Sequence, residues 1–383
     1  MNILFDYQAF EMQRFGGVSR SYAELISHLQ KDGVSCKVGL KESDNAYIDL
    51  PGLKPLHSTH NKYFNGKKWF KGQRTLTRKI MHVTGHENEG LNINQEYCIK
   101  LLKQQKFDVF EPTFFDPYFL PYLNGKPFVL TVHDMIPELF PQYFSLDDFQ
   151  IINKKLLCPL AATIHVPSNQ TKEDLIKILH INPEKIFVIP HGAPQIPIPK
   201  TTPTRPIDNP YLLFVGERGR YKNFTALLHE MAILIQSVPE LNLLCTGRPF
   251  DNDECQLLSD LGLSNQVHHC FANDDNFYSL YHHAIAFVYP SAYEGFGLPI
   301  LEAFFCDCPV LLNDASCLPE IGGDAAIYFD INKKGDLAEH VIGLLQSSEE
   351  YRQQIINKGA KRVKCFSWEE SAHKLKQVYE TIL

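Results

Sequence analysis

The sequence predicts an α/β protein of two domains, and three observations carry that prediction. Strand-like apolar runs alternate with longer helical patterns through both halves, and a Pro- and Thr-rich stretch with little to anchor a core lies between them. The chain of 383 residues, 44% hydrophobic, exceeds a typical single domain and can fill two cores. In the first half, NILFDY, KPFVLTVHD, AATIHVPS and KIFVIPHG read as strands, with VSRSYAELISHLQ and TKEDLIKILH as helices. Such continuously apolar strands belong to parallel sheets covered by helices on both faces. The first domain is therefore expected over residues 1–195 and the linker over 196–209, inside APQIPIPKTTPTRPIDNP. From YLLFVG onward the alternation resumes, giving a second domain over 210–365, and the tail 366–383 carries the helical pattern KLKQVYETI.

Bulk properties narrow the function classes. A net charge of -7 argues against general nucleic-acid binding. MNILFDYQAF has no basic leader and reads as a buried first strand rather than a signal peptide, and no apolar run is long enough for a transmembrane helix. The ten cysteines fall in no regular ligand framework, so they are expected to be reduced residues of a cytoplasmic protein. Residues 61–80, NKYFNGKKWFKGQRTLTRKI, hold seven basic and no acidic residues among aromatic ones. This segment suits the inner face of an anionic membrane or a phosphate-bearing acceptor, and a solvated basic face is the plain alternative.

Open α/β sheets bind ligands beyond the carboxyl ends of their strands, so candidates are sought just after strands. In FGGVSR, Gly16 and Gly17 precede a helix whose first amides suit phosphate. In VLTVHDMIPELF, His133 and Asp134 end a strand, where an imidazole can donate to a substrate oxygen. In FVGERGRYKNF, Arg218, Arg220 and Lys222 follow a strand and offer cations to a departing diphosphate, Arg220 being the least clearly placed. In SAYEGFGLPILEAFF, Glu294 lies in a Gly-rich turn, and Glu302 is expected in the first turn of the next helix, near its amides. The adjacent pairs His268/His269 and His282/His283 read as one buried and one exposed residue each.

The set FGGVSR, TVHD, HG, VGERGRYKNF, PSAYEGFGLPILEAF and LPEIGGDAA, in this order, resembles the retaining nucleotide-sugar glycosyltransferases of family 4, the glycosyl transferases group 1. The resemblance covers nearly the whole chain and implies the GT-B architecture, two Rossmann-like domains facing each other across a cleft. It also implies that the last helix crosses back to the N-terminal domain, which would bind the acceptor, while the C-terminal domain binds the nucleotide sugar. By resemblance, Glu302 binds the ribose and Glu294 lies near the transferred sugar. Phe296, Gly297 and Leu298 present backbone amides to sugar and diphosphate. Arg218 and Lys222 hold the diphosphate, Gly17 lets the N-terminal loop approach it, and His133 contacts the sugar. Two departures stand out, Asp307 where the family has glycine and Glu111 where it often has histidine.

The implied reaction is retaining transfer of a hexose to a glycan or lipid-linked acceptor, without metal or cofactor. Asp251 and Asp253 imitate a metal-binding DxD but lie in a polar connector. HDMIPELFP with YKNF is similar to the bacterial polysaccharide and O-antigen branch, which favours mannose from GDP-mannose. Another GDP- or UDP-sugar, a UDP-GlcNAc epimerase of the same fold and a noncatalytic sugar-binding protein are the alternatives. Replacing either Arg218 or Lys222 is expected to lower turnover and leave the fold intact.

Overall fold

The computed structural model describes residues 1–12, 14–50, 53, 93–194, 196, 203–272 and 276–383. The basic segment 61–80 lies outside the described residues, as does part of the expected linker. The N-terminal lobe contains β1 (Asn2–Phe5), α1 (Gln8–Met12), α2 (Gly17–Lys31), β2 (Ser35–Val38), α3 (Ile93–Gln104) and β3 (Val109–Glu111). It continues with β4 (Val129–Thr131), α4 (Ile136–Leu139), α5 (Phe149–Leu160), β5 (Thr163–Val166), α6 (Asn169–Leu179) and β6 (Ile186–Val188). The C-terminal lobe holds β7 (Tyr211–Phe214), α7 (Phe224–Ser237), β8 (Asn242–Cys245), α8 (Asn252–Asp260), β9 (Val267–His269), α9 (Phe277–His282) and β10 (Ala286–Tyr289). It ends with α10 (Leu298–Phe305), β11 (Val310–Asn313), α11 (Leu318–Gly322), β12 (Ile327–Phe329), α12 (Asp336–Gln346) and α13 (Glu349–Arg362), before α14 (Trp368–Thr381).

Both lobes are parallel sheets covered by helices, as the unbroken apolar strands require. The first has strands in the order β2-β1-β3 and β4-β5-β6, and a parallel bridge between Phe110 and Phe128 joins the two sets edge to edge. The second is one parallel sheet in the order β12-β11-β10-β7-β8-β9. Strand order reverses between β7 and β10, so the chain leaves these neighbours toward opposite faces and opens a crevice beyond their carboxyl ends. The segments after β7 and β10 are those that carry Lys222 and Glu294.

Helix α14 packs on the lobe the chain began with. Trp368, Ala372, Leu375, Val378 and Tyr379 are buried in the same core as Ile3, Phe5, Tyr22 and Leu29. Its return fixes the backbone around residue 192, where a Cβ would sit 2.3 Å from the Trp368 nitrogen, and Ala193 N–H donates to the Phe366 carbonyl at 3.0 Å. Among the described residues no helix is long and apolar enough to cross a membrane.

Candidate active site in the interlobe cleft

The turn between β10 and α10 sets the site. Gly297 takes φ +97°, a left-handed value that a side chain rarely adopts, and Pro299 supplies the fixed φ of a first helical turn. Gly295 is required by proximity, because a Cβ there would meet the His133 carbonyl of the facing lobe at 1.9 Å. The EGFG turn is thus where the lobes touch. The contact is secured by the Ser168 hydroxyl donating to the Gly295 carbonyl at 2.7 Å, and by the Tyr293 hydroxyl donating to Asp174 at 2.6 Å.

Glu294 and Lys222 form an ion pair across the crevice, both side chains largely buried. The Lys222 ammonium also reaches the Tyr289 hydroxyl at 3.4 Å, so the ends of β7 and β10 are tied through one cation. Backbone bonds hold Glu294 in turn, its carbonyl accepting from Ser316 Oγ at 3.0 Å. The loop that aims Lys222 is strained, with Arg220 and Asn223 both left-handed at φ 60° and 53°. Arg220 itself lies 4.9 Å from the Phe144 ring, in the other lobe.

Glu302 differs from expectation in position and in partners. It is the fifth residue of α10, one turn beyond the first amides, so it does not cap the helix. Its carboxylate instead accepts from Arg20 Nη1 of the facing lobe at 2.9 Å and from the Tyr281 hydroxyl at 3.0 Å. Burial raises its carboxyl above the ordinary range, and the Arg20 charge and Tyr281 hydroxyl oppose that shift. Arg20 stands inside the FGGVSR motif without a role assigned from sequence. Tyr281 had no signal beyond helical spacing.

The structure does not bring Arg218 together with Lys222. The Arg218 side chain is wholly buried, donating through Nε to Glu254 at 3.0 Å and through its other nitrogens to the carbonyls of Thr246, Arg248 and Pro249. It organises the loop after β8 and offers no exposed donor. Gly16 and Gly17 begin α2, and a Cβ on Gly17 would stand 3.9 Å from Leu298, so the two glycine-bearing turns face each other. Phe296 is buried beside His191 with ring centroids 4.9 Å apart, and Leu298 packs against the cores of both lobes.

His133 lies two residues beyond β4, with Nε2 buried and without a hydrogen-bond partner. Tyr22 meets its ring edge-on at 5.7 Å and His191 lies 6.2 Å away. Burial, then the neighbouring histidines, holds His133 well below its ordinary pKa, and burial takes His191 down to about 3. A buried nitrogen without a partner is costly in the protein alone, which suits an atom reserved for a ligand hydroxyl.

Glu111 is fully buried and turned inward. It accepts from Tyr379 of α14 at 2.5 Å and from Thr131 at 3.1 Å, and it pairs with His165 at 3.1 Å. Asp307 takes φ 57°, the left-handed geometry for which glycine is the usual residue. The adjacent histidine pairs differ from the sequence reading, because all four rings are half-buried and hydrogen-bonded, for instance His268 to Asn242 at 2.8 Å. Asp251 caps α8 in a capping box and pairs with Arg248. Among the described residues no group of three or more His, Cys, Asp or Glu is arranged to hold a metal ion.

Comparison with known proteins relates the chain to glycosyltransferases. A model described as Glycosyltransferase Family 4 matches residues 15–194, and one described as Glycosyl transferases group 1 matches 200–362. The chain is 27% identical over 279 residues to O-antigen chain mannosyltransferase B of Escherichia coli, covering 69% of this chain and 73% of that protein. It is 29% identical over 219 residues to the MMP alpha-(1->4)-mannosyltransferase of Mycolicibacterium hassiacum, covering 56% of this chain and 52% of that one. The serotype-specific mannosyltransferase WbdA of Escherichia coli aligns with 97% of this chain at 26% identity, and the match spans about half of its length, 47%. Among solved structures, Anabaena HepE in complex with UDP-glucose superposes with a TM-score of 0.69 at 16% identity, covering 100% of both chains. Sucrose-phosphate synthase from Thermosynechococcus elongatus superposes at 0.68 with 17% identity, covering 100% of this chain and 98% of that one. At such identities the structures speak for the shared fold.

Proposed function

The chain is a nucleotide-sugar glycosyltransferase of the GT-B fold, related to the family 4 and group 1 glycosyl transferases, and from that premise we propose that it transfers mannose from GDP-mannose to a hydroxyl of a glycan or lipid-linked oligosaccharide, with retention at the anomeric carbon. The observation that carries this reading is the Lys222–Glu294 pair at the switch point of the second sheet, on the turn that meets the His133 carbonyl of the facing lobe. Together with Glu302 these residues offer a cation for the diphosphate, a carboxylate for ribose hydroxyls, and an imidazole plus a carboxylate for the sugar. The three relatives compared above are mannosyltransferases by name, which supports this donor. A cytoplasmic setting belongs to the same reading and is supported by ten free thiols.

In the proposed step the bond from the anomeric carbon to the diphosphate oxygen breaks on the face from which the acceptor oxygen attacks. The departing oxygen takes the acceptor's proton, and the new glycosidic bond forms on that same face. Lys222 stabilises the charge that grows on the leaving diphosphate, where a fixed cation in a water-poor site acts most strongly. His133, neutral at physiological pH, orients the sugar through its unpartnered Nε2. Arg218 supports the diphosphate from below by shaping the backbone of 246–249. No step uses a divalent cation, and Asp251 of the DND stretch already caps α8.

The test is product analysis with a panel of GDP- and UDP-sugars and with soluble and lipid-linked acceptors. Mannosylated acceptor and free GDP are expected. Transfer only from a UDP-sugar would overturn the donor, an epimerised donor would indicate an epimerase, and binding without turnover would indicate a sugar-binding protein.

A further inference from the structure

Helix α5 is apolar on two opposite faces. Ile151, Leu157 and Cys158 point into the lobe with the buried Lys154. On the other side Phe149, Ile152, Leu156 and Leu160, at helical spacing, are exposed, and Leu146 in the preceding turn extends their line. Exposure along the stripe runs from 44% at Leu156 to 79% at Leu146, and none of the described elements covers it. By these exposures it presents roughly 500 Å² of apolar surface, the size of a functional patch rather than of scattered residues.

We propose that this face of α5, continued by Leu146, docks on the surface of a phospholipid bilayer and brings the mouth of the cleft to an acceptor held there. The choice of a bilayer rests on the lipid-linked acceptor reading above, and three features of the stripe favour it. Its area falls short of the ~800 Å² per partner typical of a stable protein interface. It is a narrow rod about 18 Å long, suited to lie in the headgroup boundary with its apolar side down. Lys155 borders it, and Lys185 lies at its far end, bonded to the Pro159 carbonyl at 3.0 Å, so cations are at hand for lipid phosphates.

The stripe is also mechanically continuous with the cleft. On the reverse side of α5, Lys154 donates to the Asp134 carbonyl at 3.1 Å and pairs with Glu138 at 2.7 Å, gripping the loop that carries His133. Between that loop and α5, Phe140 contacts Tyr293 at 6.3 Å between ring centroids, and Phe144 lies against Arg220. One segment therefore bears both the docking face and one wall of the cleft.

The experiment sediments the full chain with vesicles of phosphatidylcholine containing a minority of phosphatidylglycerol. The double substitution Ile152→Ser with Leu156→Ser should lower the vesicle-bound fraction roughly tenfold or more, since two exposed aliphatic side chains that docking would bury in the bilayer are lost. Turnover on a water-soluble acceptor should stay unchanged, while turnover on a lipid-linked acceptor in vesicles should fall. Phe149→Ser with Leu160→Ser repeats the measurement at the ends of the stripe should the first variant lose cooperative unfolding. Equal sedimentation of wild type and variants overturns the proposal, including the case where binding needs only anionic lipid. A vesicle-free wild-type dimer in gel filtration that the substitutions convert to monomer also overturns it, in favour of a second copy. Vesicle binding is read without any donor, so failure of docking and failure of the mannosyl reading give different results.

Discussion

Two cations four residues apart, Arg218 and Lys222, illustrate how little a motif says about which side chain reaches the ligand. Lys222 pairs with Glu294 in the cleft, whereas Arg218 is enclosed by Glu254 and three carbonyls. Lys222→Ala should lower kcat by about 10² to 10³ with the protein still folded, and wild-type turnover in a folded variant would remove it from the mechanism. Arg218→Ala should act first on stability, by about 2 kcal/mol in urea unfolding, because it leaves the carbonyls of Thr246, Arg248 and Pro249 without their donor, while Glu254 keeps Arg248 as its partner. An unchanged urea midpoint would show that the guanidinium is not structural. The histidines by the cleft make a pH prediction. His133 and His191 have pKa values below that of an unfolded histidine, so between about pH 6.5 and 3 the unfolded chain binds protons that the folded one does not. Stability from this source is present above pH 6.5 and declines as pH falls toward 3. Urea midpoints across this range should decline for wild type and decline less for His191→Asn.

At the scale of elements, the helices and strands were legible because period and composition announce them, while their partners were not. The run TVHD ends β4, and EGFG with Pro299 makes the turn into α10, as local chemistry requires. Placing Glu302 in the first turn failed by one turn, which changed its stabilisation from helix amides to Arg20 and Tyr281. Asp307 adopts the left-handed backbone that its position at a helix end demands. The least legible element was α14, whose periodicity shows an apolar face and says nothing of what it covers. Its Tyr379 hydroxyl donates to the buried Glu111, joining the last helix to the end of β3. Tyr379→Phe should cost about 1.5 to 3 kcal/mol in thermal or urea unfolding, since one oxygen of a buried carboxylate loses its donor. A shift within error would mean that the helix is held by its apolar face alone.

On the scale of the whole molecule, the site exists only where the lobes meet. Arg20 with Glu302, Ser168 with Gly295, and Asn169 with Glu320 at 3.0 Å each join residues more than a hundred positions apart. Transfer by the proposed mechanism relies on these protein groups, so activity should persist after extensive dialysis against a chelator. Complete loss that is restored by a divalent cation would contradict it. The sequence by itself determined the α/β class, the two sheets, and the glycine and proline positions of the cleft turns, because these follow from periodicity, backbone geometry and short-range chemistry. It also determined that Lys222, Glu294 and Glu302 follow strands at the ligand-binding end. Only the tertiary structure decided that Arg218 is internal, that Arg20 is Glu302's partner, that Glu111 anchors the last helix, and that one face of α5 is left bare. Each of those facts depends on which side chains meet across long sequence separations, and burial and charge pairing are fixed only when the lobes close around one another.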